Sequence, residues 1–112
     1  MNIEENRMVL KCREFINILE REQVDIVECH VDGLQHYFLI KENLMNEMQD
    51  PANAALWNLE ADVFELQSLM KRIVDLTASN EKSLQETRER VAAKLFDLQN
   101  SKAAVNAYCG NK

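Results

Sequence analysis

The second half of the chain carries one apolar repeat that no glycine or proline interrupts between residues 54 and 108. Its members are spaced alternately three and four positions apart, which lines one face of an α-helix. The repeat consists of Leu56, Leu59, Val63, Leu66, Met70, Ile73, Thr77, Asn80, Leu84, Thr87 and Val91, followed by Leu95 and Leu98. About fifty residues in one helix make a rod of roughly 75 Å, and such a rod cannot bury its own stripe. It needs the first half folded back on it, a second chain or a partner.

The first half contains a similar repeat that shifts by one position near Gly33. Its members are Val9, Cys12, Ile16, Leu19 and Ile26, then Val27, Val31, Leu34, Phe38, Met45 and Met48. Glycine weakens a helix, which predicts a kink or short turn at Gly33. Pro51 disfavours the helical conformation in Asp50 and marks the strongest break. The sequence therefore predicts helices at about 3–31, 34–49 and 53–106.

These elements predict an all-α fold, because two glycines and one proline are too few for a β-sandwich or barrel. We expect residues 1–112 to form one domain, a long antiparallel hairpin or bundle of about three helices. The first arm is kinked near Gly33 and the second is one long helix. Folding the arms back about Pro51 pairs Leu19 with Leu84 and Cys12 with Val91. The same register places Gln23 opposite Asn80, where both repeats become polar.

Charge and composition exclude several function classes. A net charge of −6 opposes binding to nucleic acid, which depends on a basic surface. No apolar stretch approaches the ~20 residues of a membrane span, and the first residues show no secretory signal. Cys12, Cys29 and Cys109 are odd in number and far apart, so reduced thiols in a cytoplasm fit better than a disulfide framework.

No residue pattern indicates catalysis or a cofactor. His30 and His36 are six positions apart, so on one helix they point to different sides and cannot share a metal ion. The sequence has no glycine-rich loop for a nucleotide and no serine or cysteine in a nucleophile turn. We therefore predict a protein without enzymatic activity, bound metal or cofactor.

Surplus apolar surface is the more informative feature. Around the first helix, apolar residues cover more of the circumference than a two-helix hairpin needs. They are Met8, Val9, Leu10, Cys12, Phe15, Ile16, Ile18 and Leu19. Helix two, a second subunit or a client helix would each account for them.

The end of the second arm carries a further apolar edge, predicted to bind a partner helix. The predicted partner-binding residues are Leu84, Val91, Leu95, Leu98, Val105 and Tyr108. The alternative is that this edge closes on helix one. We favour that alternative for Leu84 and the partner surface for Leu95 and Leu98.

Several segments, taken in order, resemble the FlgN family of flagellar type III export chaperones. They are Leu19-Glu20-Arg21-Glu22-Gln23-Val24, Asp32-Gly33-Leu34, Ile40-Lys41, Leu44-Met45, the run Leu76, Asn80 and Leu84 with Val91 and Leu95 in phase, and Tyr108-Cys109-Gly110-Asn111. The resemblance spans about residues 15–111, and its family-motif positions are Glu22, Lys41, Asn80 and Gly110. The chain departs from the family in its shortness, in having no polar tail beyond Lys112 and in Cys109 beside the glycine.

The resemblance implies a helical, ATP-independent cytoplasmic chaperone. Members of the family bind the C-terminal helical segments of hook-filament junction proteins, prevent premature assembly and help present these clients to the export apparatus. Three alternatives stay open: a homodimeric structural coiled coil, a regulatory adaptor, or a chaperone for another flagellar client. A weak homodimer is compatible with each of them.

Overall fold

A computed structural model describes the backbone of residues 6–110 and the side chains of residues 6–30 and 32–103. The described chain is all α-helical, as predicted, and contains no strand. Helix α1 spans Arg7–Val27, α2 spans Leu34–Gln49 and α3 spans Val63–Gly110. Short 3-10 segments at Val31–Gly33 and Pro51–Asn58 connect them. The molecule measures 84 × 25 × 20 Å because α3 alone contains 48 residues.

Helix α1 has well-defined ends that differ from the predicted 3–31. At its start, the Asn6 side chain accepts a hydrogen bond from the Met8 N–H at 2.9 Å, as helix-capping asparagines do. At its end, Cys29 adopts a left-handed backbone with φ of 61°. The His30 N–H donates to the Asp25 carbonyl at 2.7 Å and the Cys29 N–H to the Ile26 carbonyl at 3.1 Å. This is a Schellman motif with cysteine in the position usually held by glycine.

The prediction that the second arm is one helix from residue 53 is wrong. A 3-10 helix from Pro51 is followed by a break at residues 59–62, and α3 begins at Val63. Side-chain hydrogen bonds fix this connection between α2 and α3 next to the start of α1. Trp57 Nε1 donates to the Met48 carbonyl at 3.0 Å, and Asn6 Nδ2 donates to the Leu56 carbonyl at 2.8 Å. Asn6 Nδ2 also donates to Asp62 Oδ2 at 3.2 Å, which ties the starts of α1 and α3 together.

The predicted antiparallel register between the two arms is wrong. The residue numbers of contacting pairs increase in the same direction along α1 and α3. Arg13 pairs with Glu65 at 2.6 Å, and one step further Glu20 pairs with Arg72 at 3.2 Å. The two helices are therefore parallel. The Leu19 carbonyl accepts a hydrogen bond from Asn80, so the antiparallel register that pairs Leu19 with Leu84 and Cys12 with Val91 does not hold. The reason is that the chain reverses direction twice, once between α1 and α2 near Gly33 and once between α2 and α3 at residues 50–62. Helix α2 is therefore the antiparallel neighbour of α1, where Lys41 pairs with Glu22 and Lys11 with Glu47.

Helix α1 occupies the centre of the fold. It packs against both α2 and α3, whereas α2 and α3 make no close backbone approach to each other in the described residues. The apolar residues around its circumference are accordingly buried, except for Leu10. They pack with Leu44 and Met48 of α2 and with Leu66 and Ile73 of α3. The surplus apolar surface of α1 is thus explained by two helix neighbours, and a groove remains between α2 and α3.

Candidate helix-binding surface

Helix α3 extends beyond the rest of the molecule. Its buried residues recur about one per two turns, at Leu66, Ile73, Asn80 and Thr87, and then stop. Every described side chain from residue 88 to residue 103 is exposed. We call residues 88–103 the projecting segment. It is about 24 Å of helix, at 1.5 Å per residue, and no described element buries its side chains.

The projecting segment is not polar all round, as a solvated helix would be. Val91 is 46% exposed, Leu95 54% and Leu98 65%. Together with the half-buried Leu84, they form what we call the apolar stripe. Leu95 and Leu98 thus lie on an open surface, and Leu84 lies where the bundle ends. Val105 and Tyr108 belong to the α3 backbone, but their side chains lie outside the described residues, as does the Cys109 side chain.

The groove between α2 and α3 continues from the stripe towards the base of the molecule. Its upper part, a depression of about 410 Å³, is lined by Leu34 of α2 and by Leu84 and Leu95 of α3, among others. A middle depression of about 210 Å³ includes Phe38 and Glu81. The lower and largest part, about 550 Å³, is almost entirely apolar. Its main lining residues are Phe15, Met45, Met48, Trp57, Met70 and Ile73.

Sequence reasoning missed this lower groove, although its methionines carried a signal. Met45, Met48 and Met70 all line it. Methionine is flexible and polarisable, and it is common on surfaces that accept varied apolar partners. The groove therefore has the size and chemistry to accept apolar side chains of another helix.

A polar cluster joins the three helices at the middle level of the groove. Glu22 of α1 accepts from Lys41 Nζ of α2 at 2.9 and 2.7 Å, and from Asn80 Nδ2 of α3 at 3.0 Å. Asn80 Nδ2 also donates to the Leu19 carbonyl at 2.8 Å. Gln23 Nε2 donates to Ser79 Oγ at 3.3 Å on the neighbouring level. The predicted polar level around Gln23 and Asn80 therefore exists.

Three of the four family-motif residues, Glu22, Lys41 and Asn80, make up this polar cluster. The fourth, Gly110, is the last residue of α3. The Asn80 amide has a determined orientation, because the Leu19 carbonyl and the Glu22 carboxylate are both acceptors and require the donor nitrogen. Its Oδ1 is buried without a hydrogen-bond partner in the described residues. A cluster of this kind fixes the register of three helices at some cost in stability.

Titratable groups elsewhere form local pairs. Tyr37 Oη donates to Asp25 Oδ2 at 2.5 Å, and this hydrogen bond raises the pKa of Tyr37. Asp25, Glu28 and His30 hold ligand atoms within 4.8 Å of one another at the end of α1. Two of the three are exposed, and exposed acidic groups commonly lie together without binding an ion. The cluster is therefore not evidence of a metal site. Burial raises the pKa of the Cys12 thiol to about 11, whereas Cys29 is exposed.

In comparisons with known proteins, no family model, curated protein or solved structure matches the chain. Among the described residues, no helix combines the length and apolar character of a membrane span.

Proposed function

We propose that this protein is a cytoplasmic export chaperone of the FlgN kind. It binds the C-terminal helical segments of flagellar hook-filament junction proteins, keeps them from assembling early and presents them to the export apparatus. Binding requires neither catalysis nor a cofactor. The observation that carries the proposal is the apolar stripe, which no described element buries beyond Leu84, so that Val91, Leu95 and Leu98 are about half exposed or more.

The physical basis is the burial of one apolar helix face on another. An amphipathic client helix places residues at three-four spacing, and the stripe offers a matching row. Burial contributes roughly 25 cal/mol per Å² of apolar surface, and the cost of association removes much of it. A row of four apolar residues therefore gives a reversible complex, as a chaperone that must release its client needs.

The polar cluster supports the proposal independently. Its residues come from three distant parts of the sequence, and each is a position on which the resemblance to the FlgN family rests. Because Glu22, Lys41 and Asn80 bond to one another, they have a common structural reason to occur together. The resemblance thus concerns the packing of the bundle as well as the surface of α3.

The test is binding of a junction protein's C-terminal helical segment, measured by isothermal titration calorimetry. We expect Leu95→Asp with Leu98→Asp to weaken binding at least about tenfold, since central apolar anchors contribute 1 kcal/mol or more each. Both residues are exposed, so the variant should melt as the unmodified protein does.

Leu39→Asp is the matched control. Leu39 is 51% exposed on α2, close to the 54% of Leu95, and it does not line the groove. We expect this variant to bind within about twofold of the unmodified protein, because it lies outside the stripe. A folded Leu95→Asp, Leu98→Asp protein that retains full affinity would refute the assignment of the stripe. A chain that binds no junction protein at all would favour the adaptor or structural alternative.

A further inference from the structure

The residues that α3 contributes to the groove and to the stripe are arranged symmetrically about Leu84. Thr77 and Val91 lie seven positions on either side of it, and Ile73 and Leu95 lie eleven positions away. Met70 and Leu98 lie fourteen positions away. Two copies of such a helix, placed antiparallel about Leu84, bring apolar side chains opposite one another at nearly every level. That is the self-complementary pattern of a two-fold interface.

The charges on the two sides of Leu84 are complementary, as an antiparallel pairing of two copies requires. Among the described residues, 6–83 contain fourteen acidic and eight basic residues, whereas 84–103 contain three acidic and four basic residues. The bundle is therefore negative and the distal part of α3 slightly positive. At the groove, Glu81 and Arg88 lie almost equally far from Leu84, on opposite sides. In the described part of the chain, neither forms an ion pair.

The lengths also agree. From Leu84 to Met70 the groove follows fourteen residues of α3, about 21 Å, and residues 84–103 form about 30 Å of helix. The distal part of one copy is therefore long enough to lie along the middle and lower parts of the groove of another. Its Leu95 and Leu98 would reach the methionine-lined lower part, where Met70 and Ile73 are at the matching level.

We propose that two copies of this chain associate antiparallel through α3 about a two-fold axis near Leu84. The distal half of each α3 fills the middle and lower parts of the α2–α3 groove of the other copy, and Glu81 of one copy pairs with Arg88 of the second. The dimer covers the apolar stripe, so it competes with a client for that surface. It does not require the proposed function, because it is measured on the purified chain alone.

The test is sedimentation equilibrium of Glu81→Arg, Arg88→Glu and the double variant over a range of concentrations. We expect the unmodified protein to dimerise reversibly. Each single change creates two like-charged pairs at the interface, and we expect it to weaken dimerisation at least about tenfold. The double variant restores unlike pairs and should dimerise within about threefold of the unmodified chain.

Mixing the two single variants gives the most specific result. One copy then carries arginine at both positions and the other glutamate at both, so every pair across the interface is attractive. We expect the mixture to form heterodimers while each variant alone stays monomeric. Positions 81 and 88 are seven residues apart on one helix and do not contact each other within a chain. Rescue by mixing therefore reports contact between copies.

Three outcomes would overturn the proposal: a protein that is monomeric at every concentration, a dimer that neither single change weakens, or single variants that mixing fails to rescue. Circular dichroism melts check that each variant is folded, since both positions are at the surface. Client binding is measured separately at concentrations where the chain is monomeric. A chain that dimerises but binds no client contradicts only the proposed function. A chain that binds the client but does not dimerise contradicts only the proposed dimer.

Discussion

The two parts of α3 share one apolar repeat but have different environments. Along residues 63–87 the repeat packs on α1, and Leu66, Ile73, Asn80 and Thr87 are buried. Along residues 88–103 no described element buries the same helix, and Val91 and Leu95 are exposed. An apolar repeat thus indicates that a helix face will be covered, without indicating by what. In the first part the cover is α1, and in the second no described element supplies one.

The largest expected effect is a difference between two similar substitutions on α3. Ile73→Asp places an unpaired charge in the buried cluster and should cost more than about 4 kcal/mol of unfolding free energy. Val91→Asp, with the side chain 46% exposed, should change it by less than about 0.5 kcal/mol. Chemical denaturation measures both. If Val91→Asp also unfolded the protein, the projecting segment would be part of the core.

A smaller effect concerns the polar cluster of the packed part. Lys41→Met leaves the Glu22 carboxylate, only 10% exposed, without its cation. We expect a loss of roughly 2 kcal/mol, less than the 3–5 kcal/mol of a fully buried pair. Lys11→Met is the control, because its partner Glu47 is 53% exposed and such pairs contribute at most about 1 kcal/mol. Equal losses in the two variants would mean that the cluster adds no stability of its own.

A pH effect should also arise from the packed part. Burial raises the pKa of Cys12 from 9.0 to about 11, so the folded state keeps the thiol proton while the unfolded chain loses it. The stability linked to this thiol is therefore complete below pH 9.0 and falls as pH rises towards about 11. At about pH 10 the loss is roughly 1.4 kcal/mol.

Cys12→Ala provides the comparison for that measurement. Its unfolding free energy should fall less steeply between about pH 8 and pH 10 than that of the unmodified protein, by roughly the same 1.4 kcal/mol. Other groups, Tyr37 among them, titrate in both proteins and cancel in the difference. Identical slopes would show that Cys12 ionises as easily in the folded protein as in the unfolded chain.

The smallest effect compares two exposed alanines in the interior of α3, Ala78 beside the bundle and Ala93 in the projecting segment. Replacing alanine by glycine inside a helix costs about 1 kcal/mol. Ala78→Gly should lower the global unfolding free energy by that amount, because the helix there forms together with the core. Ala93→Gly should leave it within about 0.3 kcal/mol, because a lone helix segment adds little to the fold. Equal effects would show that the projecting segment unfolds together with the bundle.

The repeats of the sequence were sufficient to predict the all-α class and the bounds of α2. They did not reveal the break before α3, because no glycine or proline marks it. Asp62 followed three positions later by Glu65 did carry a helix-start signal within the apparently continuous repeat. The inverted register has a different cause. The first arm was predicted to be kinked near Gly33, whereas the chain reverses there, so that α2 runs antiparallel to α1 and α3 parallel to it.

The polar level was predicted correctly although the register was wrong, and the reason is geometric. An antiparallel and a parallel alignment of two helices coincide at one level, and here that level contains Gln23 and Asn80. The groove could not be predicted, because it depends on α2 and α3 standing apart on either side of α1. Exposure of Leu95 and Leu98 followed from the absence of any element long enough to reach them, which only the corrected register reveals.

The parallel pairing of α1 and α3 also affects how the chain folds during synthesis. The contacts that join these helices link residues far apart in sequence, 52 positions for Arg13 with Glu65 and 61 for Leu19 with Asn80. Helix α2 can pack on α1 as soon as it is made, but the other face of α1 stays uncovered until residue 80 has emerged. At about 5–20 residues per second, the thirty residues after Asp50 take roughly 2–6 s. During that interval the nascent chain exposes the face of α1 that α3 later covers, so this face stays accessible to other apolar surfaces until α3 is complete.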